Sequence, residues 1–255
     1  MIASYDFDAP INEAGDATEK FVALRDVIAK YVPVSPGPVP PPSPRGAYGV
    51  IEMKEYAPLF QALDLFKRVN LSAPREMESF DYGYGYILYT TVLQNFTEHL
   101  ADLKITAVQD RALVYVDGVY EGELGWAVDG APTSIPIKPV DNGNPTARLD
   151  ILVENKGRPS GEVQNFDGAR KGISGQVELN GKVLTGQWTH TLLPMTNLSS
   201  TNLRWIPYGV DAGHVPAFYR GTLTVDDAIP LHTFLLVDGW NVTDTWGHGF
   251  VMING

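Results

Sequence analysis

The chain contains no cysteine. Disulfides, thiolate metal ligation and cysteine nucleophiles are therefore excluded, while the compartment is left open. No apolar run reaches membrane-spanning length, and the N-terminal stretch carries no basic-then-apolar leader pattern. Basic charge is scarce: 19 Lys+Arg against 30 Asp+Glu leave a net −11. Such a surface is a poor match for nucleic acid or an anionic membrane, and neutral or cationic partners suit it better. The five histidines, His99, His190, His214, His232 and His248, form no i,i+4 pair or close cluster. No G-x-S-x-G nucleophile elbow occurs, and GISG at Gly172–Gly175 shares only its composition. DNGN at Asp141–Asn144 lacks the downstream glutamate of a calcium loop and reads as a turn. No metal and no cofactor is expected.

What is present is a sequence of 255 residues, long enough for one large or two medium domains. Four N-x-S/T sequons, at Asn70, Asn95, Asn197 and Asn241, point to a glycosylated, lysosomal or secreted protein. Asp16 with Glu19 three residues on predicts a capping box opening a helix of roughly fifteen residues. Phe21, Leu24, Ile28 and Tyr31, with Val27 beside them, form its apolar stripe, which requires a surface to cover. Seven prolines between Val32 and Gly46 then predict an extended, semi-rigid spacer.

Beyond Gly46 the pattern turns to β. YGVIEM (Tyr48–Met53) reads as a strand and APLFQALDLF (Ala57–Phe66) as a short helix. Short strands follow from YGYGYILYTTVL (Tyr82–Leu93) to TFLLVDGW and GFVMING. Asp117-Gly118 and Asn180-Gly181 tolerate the positive φ of tight hairpin turns. LDILVEN predicts Leu149, Ile151 and Val153 pointing inward. The body is expected to be mainly β, one or two β-sandwich or jelly-roll domains.

Chemistry is harder to find. Glycoside hydrolysis needs two carboxyl groups flanking the bond, and sequence alone cannot pair the glutamates. Glu52, Glu55, Glu121, Glu123 and Glu178 lie on or beside strands and read as solvated-face residues. Asp6 and Asp8 alternate with Tyr5 and Phe7, so the acids share one side of an extended loop and brace it. Tyr82, Tyr84 and Tyr86 line one strand face, suited to core packing more than to stacking on sugars. Trp126, Trp188, Trp205, Trp240 and Trp246 are scattered and read as structural.

SYDFDAPINEAGD (Ser4–Asp16) closely resembles the S-Y-D-Y-D-A-P-[IL]-x-E-A-G-D segment of the glycoside hydrolase family 35 β-galactosidases, including the animal lysosomal type. YGYILYTT (Tyr84–Thr91), DRALVYVDG (Asp110–Gly118), LDILVENKGR (Leu149–Arg158), PAFYRGTLTV (Pro216–Val225) and WGHGFVMING (Trp246–Gly255) resemble that family's accessory β-domains in the same order. The resemblance implies that the retaining chemistry, one Glu as acid and one as nucleophile, belongs to a (β/α)₈ barrel lying before this segment. No catalytic residue is expected in this chain. Residues 1–31 would be the barrel's last loop and helix, 32–46 a Pro-rich linker, and 47–75 a connecting strand and short helix. Residues 76–195 would be a first jelly-roll, galactose-binding-like β-sandwich and 196–255 a truncated second one.

On this resemblance Tyr5 and Phe7 border the galactose pocket. Phe7 stands where the family has tyrosine and forfeits a hydroxyl hydrogen bond, on the order of 1 kcal/mol. Pro159-Ser160-Gly161 replaces the family's N-Y-G, and Asn241–Thr245 is an insertion between Trp240 and Trp246. The expected role is a C-terminal accessory portion of a β-galactosidase, inactive alone and meeting its β-galactoside through the barrel. Homo-oligomerisation of the full-length enzyme is the partner it allows. A free-standing carbohydrate-binding module and a non-catalytic β-sandwich protein are the alternatives.

Overall fold

A computed structural model describes residues 8–33, 37–96, 100–125, 132–140, 143–158, 168–196, 198, 202–209, 215–235 and 249–254. These fall into two compact units, residues 1–52 with 221–251, and residues 53–220 with 252–255.

In the first unit the helix is real but shorter than predicted, α1 (Glu19–Ile28). Asp16 is not its cap. Thr18 occupies the N-cap without a side-chain bond to the helix, its hydroxyl donating instead to the carbonyls of Ala9 and Pro10. Asp16 accepts from the Ser43 amide at 2.7 Å and pairs with Arg45. These partners arrive from far along the chain, so a local pattern could not announce them. Its carboxyl is held below the usual range, chiefly by the Ser43 amide, against the opposing cost of burial. Arg25 donates to the Gly37 carbonyl, so the proline segment is tied down near both ends. Arg45 pairs in parallel with His232, and the Tyr48 hydroxyl accepts from the Leu231 amide.

The second unit carries most of the strands. β1 (Met53–Pro58) leads through two single 3₁₀ turns, Leu59–Gln61 and Leu63–Leu65, to β2 (Lys67–Leu71). The strand expected from Tyr48 thus begins only at Met53, where Glu55 and Tyr56 find partners in Pro207 and Ile206. In place of the short helix expected at Ala57–Phe66, β1 runs to Pro58 and two 3₁₀ turns follow, the remaining run being too brief to propagate an α-helix. A third 3₁₀ turn, Met77–Phe80, precedes β3 (Tyr86–Gln94), β4 (Ala101–Ile105), β5 (Val108–Gln109) and β6 (Arg111–Val116). Then follow β7 (Val119–Gly125), β8 (Ser134–Ile137), β9 (Thr146–Glu154), β10 (Gly172–Ile173) and β11 (Val177–Leu179). β12 (Lys182–Val183), β13 (Trp188–Leu193), β14 (Ile206–Pro207) and β15 (Ala217–Gly221) complete the set. The strands expected in TFLLVDGW and GFVMING do not form within 233–235 and 249–254, where the backbone has no ladder partner. Residues 236–240 and Gly255 lie outside the described residues.

A six-stranded sheet, β2-β13-β3-β9-β6-β7, faces a four-stranded sheet, β12-β11-β4-β8. The main core lies between them and follows the two-residue period of each strand. Ile87, Tyr89 and Leu93 come from β3, Ala112, Val114 and Val116 from β6, and Leu149, Ile151 and Val153 from β9. Leu103, Ile105, Ile135, Ile137 and Val177 meet them from the smaller sheet. This is a β-sandwich, and the predicted inward set of β9 is the observed one. The other face of the six-stranded sheet is covered too. Leu88, Tyr115, Leu152 and Leu193 pack with Leu59, Phe60 and Phe218. Asp117-Gly118 joins β6 to β7 and Asn180-Gly181 joins β11 to β12, all four residues at positive φ as predicted.

Candidate functional site

Of the residues singled out from sequence, Tyr5, Asp6 and Phe7 lie outside the described residues, as do Asn197 and Asn241. Asp8 is exposed and pairs with Lys20 at 2.7 Å. Asn70 sits on β2, an edge strand, exposed, its side-chain oxygen accepting from the Thr189 hydroxyl at 2.8 Å. Asn95 is exposed at positive φ just past the end of β3. Both asparagines are reachable from solvent.

The tyrosine row separates. Tyr82 is buried and its hydroxyl donates to the Tyr86 carbonyl. Tyr84 is exposed, and the strand begins only at Tyr86. Trp188 is fully buried, and Trp205 lies under the Arg220 guanidinium at 4.4 Å. Trp126, Trp240 and Trp246, and His99, His214 and His248, lie outside the described residues. Among the described residues no group of three or more His, Cys, Asp or Glu is placed to hold a metal ion.

Two carboxylates meet one cation where β6, β7 and β9 adjoin. Arg111 on β6 reaches Glu123 of β7 at 2.7 Å and Glu154 of β9 at 4.0 Å. Tyr86 donates to Glu154, while Tyr115 and Tyr120 contact each other nearby. The register explains the gathering, since Arg111 pairs with Glu154 and with Gly125 across neighbouring strands. Burial lowers the Arg111 pKa, but Glu123 and Glu154 outweigh it and the net shift is upward. The cation stands between the two acids. A substrate oxygen reaching Glu123 would compete with a 2.7 Å ion pair.

Further buried charge is likewise satisfied. Asp150 is fully buried on β9, accepting from the Thr90 hydroxyl and from Arg148 Nε, each at 2.6 Å. Burial raises its pKa against those two partners. Lys171, 2% exposed, donates to both oxygens of Asp110 at 2.7 and 2.8 Å. The Lys171 amide is held by Glu78, which also pairs with Arg158 at 2.5 Å, and Arg170 pairs with Glu76 at 2.6 Å. Beside this network opens a shallow cavity of about 360 Å³ lined by Glu78, Asp81, Tyr82 and Gly83.

One cluster was not legible in the sequence. Tyr56 of β1, Tyr208 just past β14 and Tyr219 of β15 gather with centroids 5.7–6.3 Å apart. Tyr56 and Tyr219 are near parallel at 22°, and Tyr208 stands at 87° and 75° to them. Tyr208 and Tyr219 are 51% and 41% exposed. The three residues are far apart in the chain, and only the order β14-β1-β15 joins them.

Residues 74–194 match the family model described as the first all-beta domain of beta-galactosidase. Over 97% of its length the chain is 33% identical to a beta-galactosidase of Mus musculus and 32% identical to that of Homo sapiens. A beta-galactosidase-1-like protein of Mus musculus is 32% identical over 98% of the chain. The chain spans only about 40% of the length of these curated relatives. Residues 74–194 thus match the first all-beta domain of beta-galactosidases, and nearly the whole chain is similar to a part of these relatives.

Proposed function

We propose that this chain is the accessory β-rich part of a retaining β-galactosidase, one that removes terminal β-linked galactose from glycans or glycolipids. Its residues 76–195 would form a jelly-roll domain and 196–255 part of a second. The helix of residues 1–31 would dock on a catalytic barrel, with residues 32–46 as the linker and 47–75 as the connection. One observation carries the reading: nearly all of the chain aligns with a minor part of β-galactosidases. Tyr5 and Phe7 would rim the galactose pocket of the intact enzyme. Asn70 and Asn95, and with them Asn197 and Asn241, would carry glycans in a lysosomal or secreted protein.

With the acid and the nucleophile placed on that barrel, leaving-group protonation and covalent capture belong to it, so residues 1–255 should be inactive alone. The purified chain is expected to leave a chromogenic β-galactoside unhydrolysed. Turnover that copurifies with the chain and disappears in Glu123→Gln or Glu154→Gln would overturn the assignment.

The Tyr56–Tyr208–Tyr219 group, with Tyr208 and Tyr219 exposed, favours a second reading, a saccharide-binding role in which ring faces meet sugar C–H groups. Calorimetric titration with galactose and lactose tests it. Heat that vanishes in Tyr208→Ala supports this role, and flat titrations remove it.

A further inference from the structure

His190 lies in the middle of β13, paired with Val69 of β2 on one side and Tyr89 of β3 on the other. It is 0% exposed. Its Nδ1 is 3.2 Å from the Val69 carbonyl, which can only accept, so Nδ1 carries the proton. Its Nε2 is 3.1 Å from the Arg75 amide, which can only donate, so Nε2 is bare. Phe80 and Tyr89 pack on the ring, each with its centroid 5.1 Å away. The Tyr89 hydroxyl donates to the Arg75 carbonyl at 2.7 Å and accepts from the Ile173 amide at 3.0 Å. Both backbone groups of Arg75 are thus held from inside the sandwich. Past Arg75, Glu76 bridges to Gly172 and the Met77 amide donates to the Lys171 carbonyl. Gly172 is required there, because a Cβ would fall 2.3 Å from the Tyr89 hydroxyl and its φ is +87°.

A second proton on the imidazole meets the Arg75 N–H, although backbone bonds to Val69 and Trp188 favour the charged ring. It would add on Nε2 and point at the N–H of Arg75, donor against donor, in a site closed to water. The charged groups on the packed elements are turned elsewhere. Glu76 faces Arg170, Glu78 faces Arg158, Lys171 faces Asp110, and Arg75 and Lys67 are exposed. Tyr89 is the titratable group against the ring, and burial pushes its pKa up, so it stays neutral. We propose that His190 is an acid-sensitive pin that holds residues 75–80 on the sandwich and releases them when it is protonated. Release would carry Glu78, and with it one wall of the Glu78–Asp81–Tyr82–Gly83 cavity, away from Lys171. The proposal is independent of the glycosidase reading.

Burial holds the His190 pKa below the ordinary value of about 6.5. The sign follows. Above that value the imidazole is neutral whether the segment is docked or released, and docking loses nothing. Below it the released form takes up a proton and the docked form does not, so acid favours release until the docked pKa is passed.

The test is amide hydrogen exchange on the full chain, corrected for intrinsic pH dependence, from about pH 7.5 to about pH 4.5. Residues 74–83 are expected to lose about tenfold or more in protection while β3 and β9 keep theirs, one pKa unit being worth a factor of ten. His190→Gln can accept from Arg75 and donate to Val69, so it should flatten that loss. Undiminished protection at the acid end overturns the proposal. So does an equal loss in His190→Gln, which would assign it to a group other than the imidazole. Should that variant fail to fold, the His190 Hε1 resonance of the native chain decides: a midpoint below the ordinary value, coincident with the exchange change, supports the pin. A change that precedes the titration rejects it.

Discussion

At the scale of single residues, the buried Lys171–Asp110 pair makes the sharpest demand on the fold. Both side chains are out of water and each neutralises the other. Asp110→Ala strands an ammonium in the interior and should cost about 3–5 kcal/mol, read as a lower denaturant midpoint. Adding Lys171→Met removes the stranded charge and should recover most of the loss. Destabilisation that grows with the second substitution would show that the pair's geometry, and not its charge, matters. Neither partner was legible beforehand, since a lysine and an aspartate sixty-one positions apart carry no mark of meeting. Asp16 shows the reverse error. Its spacing to Glu19 suits a capping box, yet Ser43 and Arg45 take its carboxylate. Long-range partners outbid a local pattern whenever the fold delivers them.

At the scale of elements, the hairpin turns were the most legible, because Asp-Gly and Asn-Gly act through their own φ preferences and need no distant partner. The alternation in β9 was legible for a similar reason, one face of each strand being inward. The edges of β1 were not, since a strand extends only as far as a neighbour pairs with it. The helix α1 keeps its amphipathic stripe, but none of its residues is buried, and Leu24 and Ile28 are 46% and 51% exposed. Exposed apolar stripes promote association. Leu24→Gln with Ile28→Gln should therefore reduce self-association in sedimentation velocity and leave the unfolding free energy unchanged to within about 0.5 kcal/mol. A fall of many degrees would mean that the stripe is packed within this chain.

At the scale of the whole molecule, the described tyrosines divide by burial, with a consequence in alkali. Burial pushes Tyr82, Tyr89 and Tyr115 up strongly, and burial with Glu154 beside it raises Tyr86 to about 12. Their unfolded pKa is about 10, so the stability they contribute is complete below that value and is lost as pH rises toward the folded values. Phenolate absorbance should show these four ionising together with unfolding. Twelve equivalent phenols titrating in a folded chain would refute that division. What the sequence determined by itself was the β-rich body, the turn positions, the inward alternation and the kinship with β-galactosidases. Each rests on neighbours in the chain or on ordered segments that need no coordinates. Only the tertiary structure decided that Arg111 bridges two glutamates, that three distant tyrosines share a face, and that a buried imidazole holds Arg75. These depend on strand order and register, which join residues remote in sequence through pairings that local composition does not encode.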